Sequence, residues 1–288
     1  MQNSTSDTCI VVGIDGSDSA DRAVVWAAQT AAIRDRSLRI VTAVDVPPLL
    51  GSDQIVEFRA IARSRLTAAE ILARESVVER ELSLVTEARD GNVVDVLLDE
   101  STRAGSIVVG ESGLGEPDAG RLGSVSNALA AHASSPVAVV RGRSIDGRPP
   151  LGPVVVGVDG SAANQSAVAT AFLEASTRGT SLVAVHVWSD VSLSQLPAVP
   201  VQWEDVAASE EALLAESLAG WQEKFPDVEV RRVVAQDRPV RVLGQLSEQA
   251  SLVVVGNRGR GGFSGMLLGS TSYALVHTAD CPVLVVRN

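Results

Sequence analysis

Two nearly identical heptapeptides, VVGIDGS at residues 11–17 and VVGVDGS at residues 155–161, open the two halves of the chain. Asp159 follows Asp15 by 144 residues (159 − 15). A period that long is a whole domain repeated, because stacked repeats run at roughly 20–50 residues. The duplication constrains the fold strongly: what one half builds, the other builds again. Across 288 residues each half has ordinary domain length. The stretch GRSIDGRPPLG, residues 142–152, is rich in Gly, Pro and charge and reads as a connection. The expected domains are therefore 1–143 and 153–288, joined by a linker at 144–152.

Each half alternates short β-branched runs with longer stretches rich in Ala, Leu and charge. Strands are expected at 8–14, 38–44, 81–87, 106–110 and 136–140, then at 153–158, 182–187, 228–234, 252–255 and 282–286. Helices fill the gaps, among them 93–103 and 203–224. Five strands alternating with four helices imply an α/β fold, a doubly wound parallel sheet in each domain. Aromatics are only 3% of a chain that is 45% hydrophobic. Cores made of Val, Leu, Ile and Ala suit parallel strands covered on both faces. In such sheets ligands bind beyond the carboxyl ends of the strands, where the strand order reverses. The loops after strands one, two and four of each half are the ones that matter.

The loop after strand four carries the strongest local pattern. It reads GESGLGEPDAGRLGSV from Gly110 and GNRGRGGFSGMLLGST from Gly256. Both fit G-x2-G-x9-G-S: Gly110, Gly113, Gly123 and Ser124 in one half, Gly256, Gly259, Gly269 and Ser270 in the other. Glycines permit positive φ and let backbone N–H groups approach an anion. The last Gly-Ser falls where the next helix starts, and a helix N-terminus offers unsatisfied donors and the positive end of its dipole. The serine hydroxyl can donate to a phosphate or cap the helix. The loop after strand one supplies Asp15 and Asp159, able to accept from ribose hydroxyls or an adenine amine; Asp-Gly-Ser is equally a plain turn into a helix. After strand two, Ala43 and Val187 can offer backbone groups to a base edge. The full candidate set for nucleotide contact is Gly13, Asp15, Ala43, Gly110, Gly113, Gly115, Gly123, Ser124 and Val125, with Gly157, Asp159, Val187, Gly256, Arg258, Gly259, Arg260, Gly261, Gly269, Ser270 and Thr271.

Several classes fall away. A formal charge of −11 disfavours a nucleic-acid binder, which needs clustered Lys and Arg. There is no Walker loop, no Cys/His cluster with zinc spacing and no Ser-His-Asp set on equivalent loops. His186 is expected to be structural, His132 and His277 are assigned no function, and Cys9 and Cys281 are expected to be buried thiols. The N-terminus lacks the basic and apolar regions of a secretory signal, and no apolar run reaches membrane-spanning length. A cytoplasmic protein is expected, with no catalytic residue assigned and at most weak ATP hydrolysis.

VVGIDGS, VVGESG…LGSVSNALAAHASSPVAVV and VVVGNRGRGGFSGMLLGSTSYALVHTADCPVLVVR together resemble the universal stress protein domain, once in each half. The resemblance implies strand order 3-2-1-4-5. The glycine spacing is similar to that of the family's ATP-binding branch. By that resemblance the cofactor is ATP, with or without Mg²⁺, and the function a nucleotide-dependent regulator of stress or dormancy that acts on a protein partner. A slow ATP hydrolase and an interaction module with vestigial sites are the alternatives. The resemblance also implies pairing of the halves through strands 136–140 and 282–286, and a homodimer. The loops differ in charge. Arg258 and Arg260 lie in the second, whereas Glu111, Glu116 and Asp118 lie in the first with Arg121 as its one cation. A carboxylate about 4 Å from a phosphate costs roughly 1 kcal/mol even in high dielectric. The second site is expected to bind more tightly.

Overall fold

The computed structural model describes residues 9–47, 51–77, 80–114, 122–141, 152–188, 203–260 and 267–287. The chain forms two compact units, Met1–Pro149 and Pro150–Asn288. Gly115, Gly261, Glu116, Pro117, Asp118, Arg121 and nearly all of the expected linker lie outside the described residues.

In the first unit β1 (Ile10–Gly13), α1 (Asp18–Ile33), β2 (Leu38–Val44), α2 (Ser52–Ser76), β3 (Leu84–Asp90), α3 (Val93–Ser101), β4 (Ser106–Gly110), α4 (Ser124–His132) and β5 (Val137–Val140) follow one another. The strands pair in parallel in the order β3-β2-β1-β4-β5. The second unit repeats the plan with β6 (Val154–Gly157), α5 (Gln165–Arg178), β7 (Leu182–Trp188), α6 (Trp203–Ser217), α7 (Trp221–Lys224), β8 (Val230–Gln236), α8 (Pro239–Ser247), β9 (Leu252–Gly256), α9 (Ser270–Thr278) and β10 (Val283–Val286). Its order is β8-β7-β6-β9-β10, again parallel. Each unit is thus the expected doubly wound α/β sheet, and the order reverses between the first and fourth strands.

The central strands are Val- and Ile-rich runs buried on both faces, as in IVVG, SIVVG and LVVVG. Element ends shift by a few residues, as where the expected strand 228–234 runs Val230–Gln236, and two differences have a visible cause. The third strand begins at Leu84, not Glu81, because Leu84 pairs with Leu38 and the strand lies beyond β2 with alternate residues half-buried. The expected helix 203–224 breaks into α6 and α7, with Gly220 between them at φ +77°. That break lets Trp221 and Phe225 stack against Phe172 of α5, with ring centroids 5.9 and 5.8 Å away. Buried charge is paired. Glu100 of α3 meets Arg39 of β2 and Arg89 of β3, and Glu174 meets Arg178 within α5.

Candidate functional site

The chain leaving β1 is pinned to β2 before it turns. Ile14 donates its N–H to the Val41 carbonyl, and the Thr42 hydroxyl donates to the Ile14 carbonyl at 3.0 Å. Asp15 then places its two oxygens on different parts of the fold. One accepts from the Ser17 N–H and hydroxyl at 3.0 and 2.7 Å, which closes the turn. The other accepts from the Leu114 N–H at 2.6 Å, across the gap to the glycine loop. Gly16 lies at φ +86°, where a side chain is strained. Ser17 also accepts from the Ala20 N–H and so caps α1.

The second unit repeats this wiring. Asp159 accepts from the Ser161 N–H and hydroxyl at 2.8 and 2.7 Å and from the Arg260 N–H at 3.1 Å. Gly160 lies at φ +74°. His186 takes the role of Thr42, with Nδ1 at 2.7 Å from the Val158 carbonyl. Its Nε2 lies 2.6 Å from the Glu210 carboxylate, so this histidine is structural, as its position within a strand suggests.

The glycine loops are clamped where they leave and re-enter the fold. Gly123 donates its N–H to the Glu111 carbonyl at 2.7 Å, and the Ser126 hydroxyl donates to the Gly110 carbonyl at 2.6 Å. Gly269 to Asn257 and Ser272 to Gly256 repeat both bonds at 2.7 and 2.6 Å. The helices α4 and α9 begin with Gly123 and Gly269 as N-caps and no side-chain cap, so neither Ser124 nor Ser270 caps its helix.

Gly110, Gly113 and Gly259 are small for reasons of contact, not of backbone angle. Among the described residues none of the loop glycines has positive φ; the expectation of left-handed conformation holds for Gly16 and Gly160 instead. A Cβ on Gly110 would lie 2.6 Å from the Ser19 carbonyl oxygen, so α1 packs directly on the end of β4. A Cβ on Gly113 would lie 2.8 Å from Asp15 Oδ2, and one on Gly259 2.9 Å from Asp159 Oδ2. The aspartate motif and the glycine motif are thus two sides of one contact.

In the first unit these residues surround a cavity of about 240 Å³. Gly13, Asp15, Ala43, Gly110, Gly113, Gly123, Ser124 and Val125 all line it. The sequence reading missed Arg65 of α2, Val93 and Leu97 of α3, and Leu114, which also line it. In the second unit Gly157, Val187, Gly256, Gly259, Arg260, Gly269, Ser270 and Thr271 occupy the equivalent strand ends, loop and helix start.

The charge around the two loops also differs from expectation. Glu111 is not a bare negative charge: it pairs with Arg22 at 3.2 Å and Arg141 at 3.4 Å. Its counterpart is Asn257. There the nearby guanidinium of Arg287 is held below the usual arginine range, first by burial and then by repulsion from Arg258. Among the described residues no His, Cys, Asp and Glu cluster could hold a metal ion, and no helix is long and apolar enough to cross a membrane.

Two tandem doubly wound units, each with an aspartate tied to a G-x2-G-x9-G-S loop at the switch point, define a class of duplicated α/β proteins. A family model described as the universal stress protein family matches residues 9–141 and 151–287, and the chain belongs to that family. A universal stress protein of Mycobacterium tuberculosis strain H37Rv is 44% identical over 290 residues, covering 96% of each chain. One from Mycolicibacterium smegmatis is 40% identical over 296 residues, covering 100% of this chain and 99% of its own. The crystal structure of a universal stress protein from Archaeoglobus fulgidus superposes with a TM-score of 0.71 at 20% identity, covering 98% of this chain and 99% of that one. That likeness shows the shared fold.

Proposed function

We propose that each unit binds ATP, with or without Mg²⁺, and that the bound state regulates a protein partner in stress or dormancy. The observation that carries this reading is the convergence of the aspartate turn, the glycine loop and an uncapped helix N-terminus on one cavity at the switch point. Val93, Leu97 and Ala43 give it an apolar side for a base. The start of α4 gives it donors and a positive dipole end for phosphate. At about 240 Å³ the cavity is smaller than pockets that enclose whole drug-sized ligands, roughly 300–1,000 Å³. A nucleoside would fill it, with the phosphates running out along the loop. Mg²⁺ would be held through those phosphates.

A regulator fits better than a hydrolase. Among the described residues lining the first cavity Asp15 is the one carboxylate, and Asp15 and Asp159 each already accept three hydrogen bonds that hold the loop in place. A homodimer and cytoplasmic location complete the reading.

Mass spectrometry of nucleotide released from the native protein, together with thermal melts in millimolar ATP–Mg²⁺, tests the proposal. Adenine nucleotide in the protein, or a clear rise in melting temperature, supports it. Binding that excludes the unfolded chain adds about 2.7 kcal/mol at a hundredfold excess over Kd. Protein that is free of adenine and unmoved by ATP is an interaction module instead.

A further inference from the structure

The two Asp-Gly turns are overhung by different elements. A Cβ on Gly16 would meet the Arg65 side chain, with Nε 3.1 Å and Cδ 3.4 Å away, and Arg65 projects from α2. A Cβ on Gly160 would meet Leu213, which projects from α6, and Arg260 Nη2 at 2.6 Å. Arg260 belongs to the glycine loop. Its equivalent is Leu114, since the N–H groups of Leu114 and Arg260 make the same bond to Asp15 and Asp159. The first unit therefore has arginine on the helix and leucine on the loop. The second has leucine on the helix and arginine on the loop. Both Arg65 and Leu114 line the first cavity. Among the described residues neither Arg65 nor Arg260 forms an ion pair.

We propose that Arg65 and Arg260 are equivalent ligand-binding residues, each placing a guanidinium over its Asp-Gly turn to bind a phosphate group of the nucleotide. The assignment rests on the nucleotide reading above and extends it, because it gives the first site a cation from a helix that carries no loop motif. Asp15 ties that turn to the glycine loop, so Arg65 overhangs the junction where the loop donors and the start of α4 converge. A guanidinium stays charged at any physiological pH and matches phosphate geometry in a fork that leucine cannot supply. The first site thus gains a cation from a helix, besides the one that its loop sequence carries, Arg121. The tighter binding expected of the second site then rests on Arg258 and on the acidic Glu116 and Asp118 of the first loop.

The test is a titration of the full chain with ATP and with adenosine, followed by the backbone amide resonances of Leu114 and Arg260, which report each site separately. Arg65→Leu should weaken ATP at the first site about tenfold, leave adenosine there unchanged and leave the second site untouched. Adding Leu114→Arg to Arg65→Leu should restore ATP affinity by rebuilding the arrangement of the second unit. Arg260→Leu and its rescue by Leu213→Arg should mirror this at the second site. ATP binding indifferent to Arg65→Leu overturns the assignment alone, as does an equal loss of ATP and adenosine, which would mark the guanidinium as stacking on the base. Failure of the exchanged pair to recover ATP binding also overturns it. A wild-type chain that binds neither ligand overturns the nucleotide reading and this assignment with it.

Discussion

Asp15 and Asp159 each join two segments about a hundred residues apart in sequence, and the joint is a single hydrogen bond to a backbone N–H. Asp15→Ala should therefore speed hydrogen exchange at the Leu114 amide while leaving Arg260 protected, and Asp159→Ala should do the reverse. Equal protection in both variants would mean that the loop holds its shape without the carboxylate. Nearby, burial, then Asp18 and Asp15, raise the Asp21 carboxyl above its ordinary value. Ionised Asp21 is thus disfavoured in the fold. Its favourable contribution is present below the ordinary carboxylate range and is lost as pH rises through the raised value. Asp21→Asn should raise the melting temperature at neutral pH and confer no gain in acid. Burial pushes the Cys281 thiol up to about 12, while Cys9 is only half-buried, contrary to the expectation of two buried thiols. At pH 8 a thiol reagent should leave Cys281 unmodified in native protein and label both cysteines in denaturant. The carboxylates were legible in sequence because Asp-Gly-Ser stands out locally. Arg65 was not, because a single arginine on a long, charged helix looks like any solvated position until packing brings it over Gly16.

The helices carry the paired charges that fix their seating. In α5 the Arg178 guanidinium is pushed down to about 10 by burial and leans on Glu174, whose side chain is 2% exposed. Removing the carboxylate takes one ionic contact from a buried cation, so Glu174→Gln should lower stability in chemical denaturation, by about 1–3 kcal/mol. The double change Glu174→Leu with Arg178→Met should cost much less, because no charge is left to desolvate. The order and type of the elements followed from hydrophobic period and from the duplication. The ends did not. Partly exposed β3 has weak alternation, so its start is set by pairing with β2. The break at Gly220 is set by three aromatic rings that must meet. The apolar wall of Val93 and Leu97 was equally hidden, since an amphipathic face does not reveal which part of it meets a cavity.

At the scale of the molecule, two units with the same wiring and different charge should bind two nucleotides per chain with unequal affinity. Gly113→Ala and Gly259→Ala, titrated separately with ATP, test this, since each methyl would press on its own aspartate to the same degree. The larger loss of total affinity should come from Gly259→Ala; equal losses would remove the asymmetry. The crossed placement of arginine and leucine has a consequence for inheritance. Copying only the second glycine loop into the first unit would set Arg65 against a second guanidinium at one turn. Copying the first loop into the second unit would leave two leucines and no cation there. The second chimera should lose its phosphate cation, so the first glycine loop can pass to the other half only together with the helix that carries its arginine.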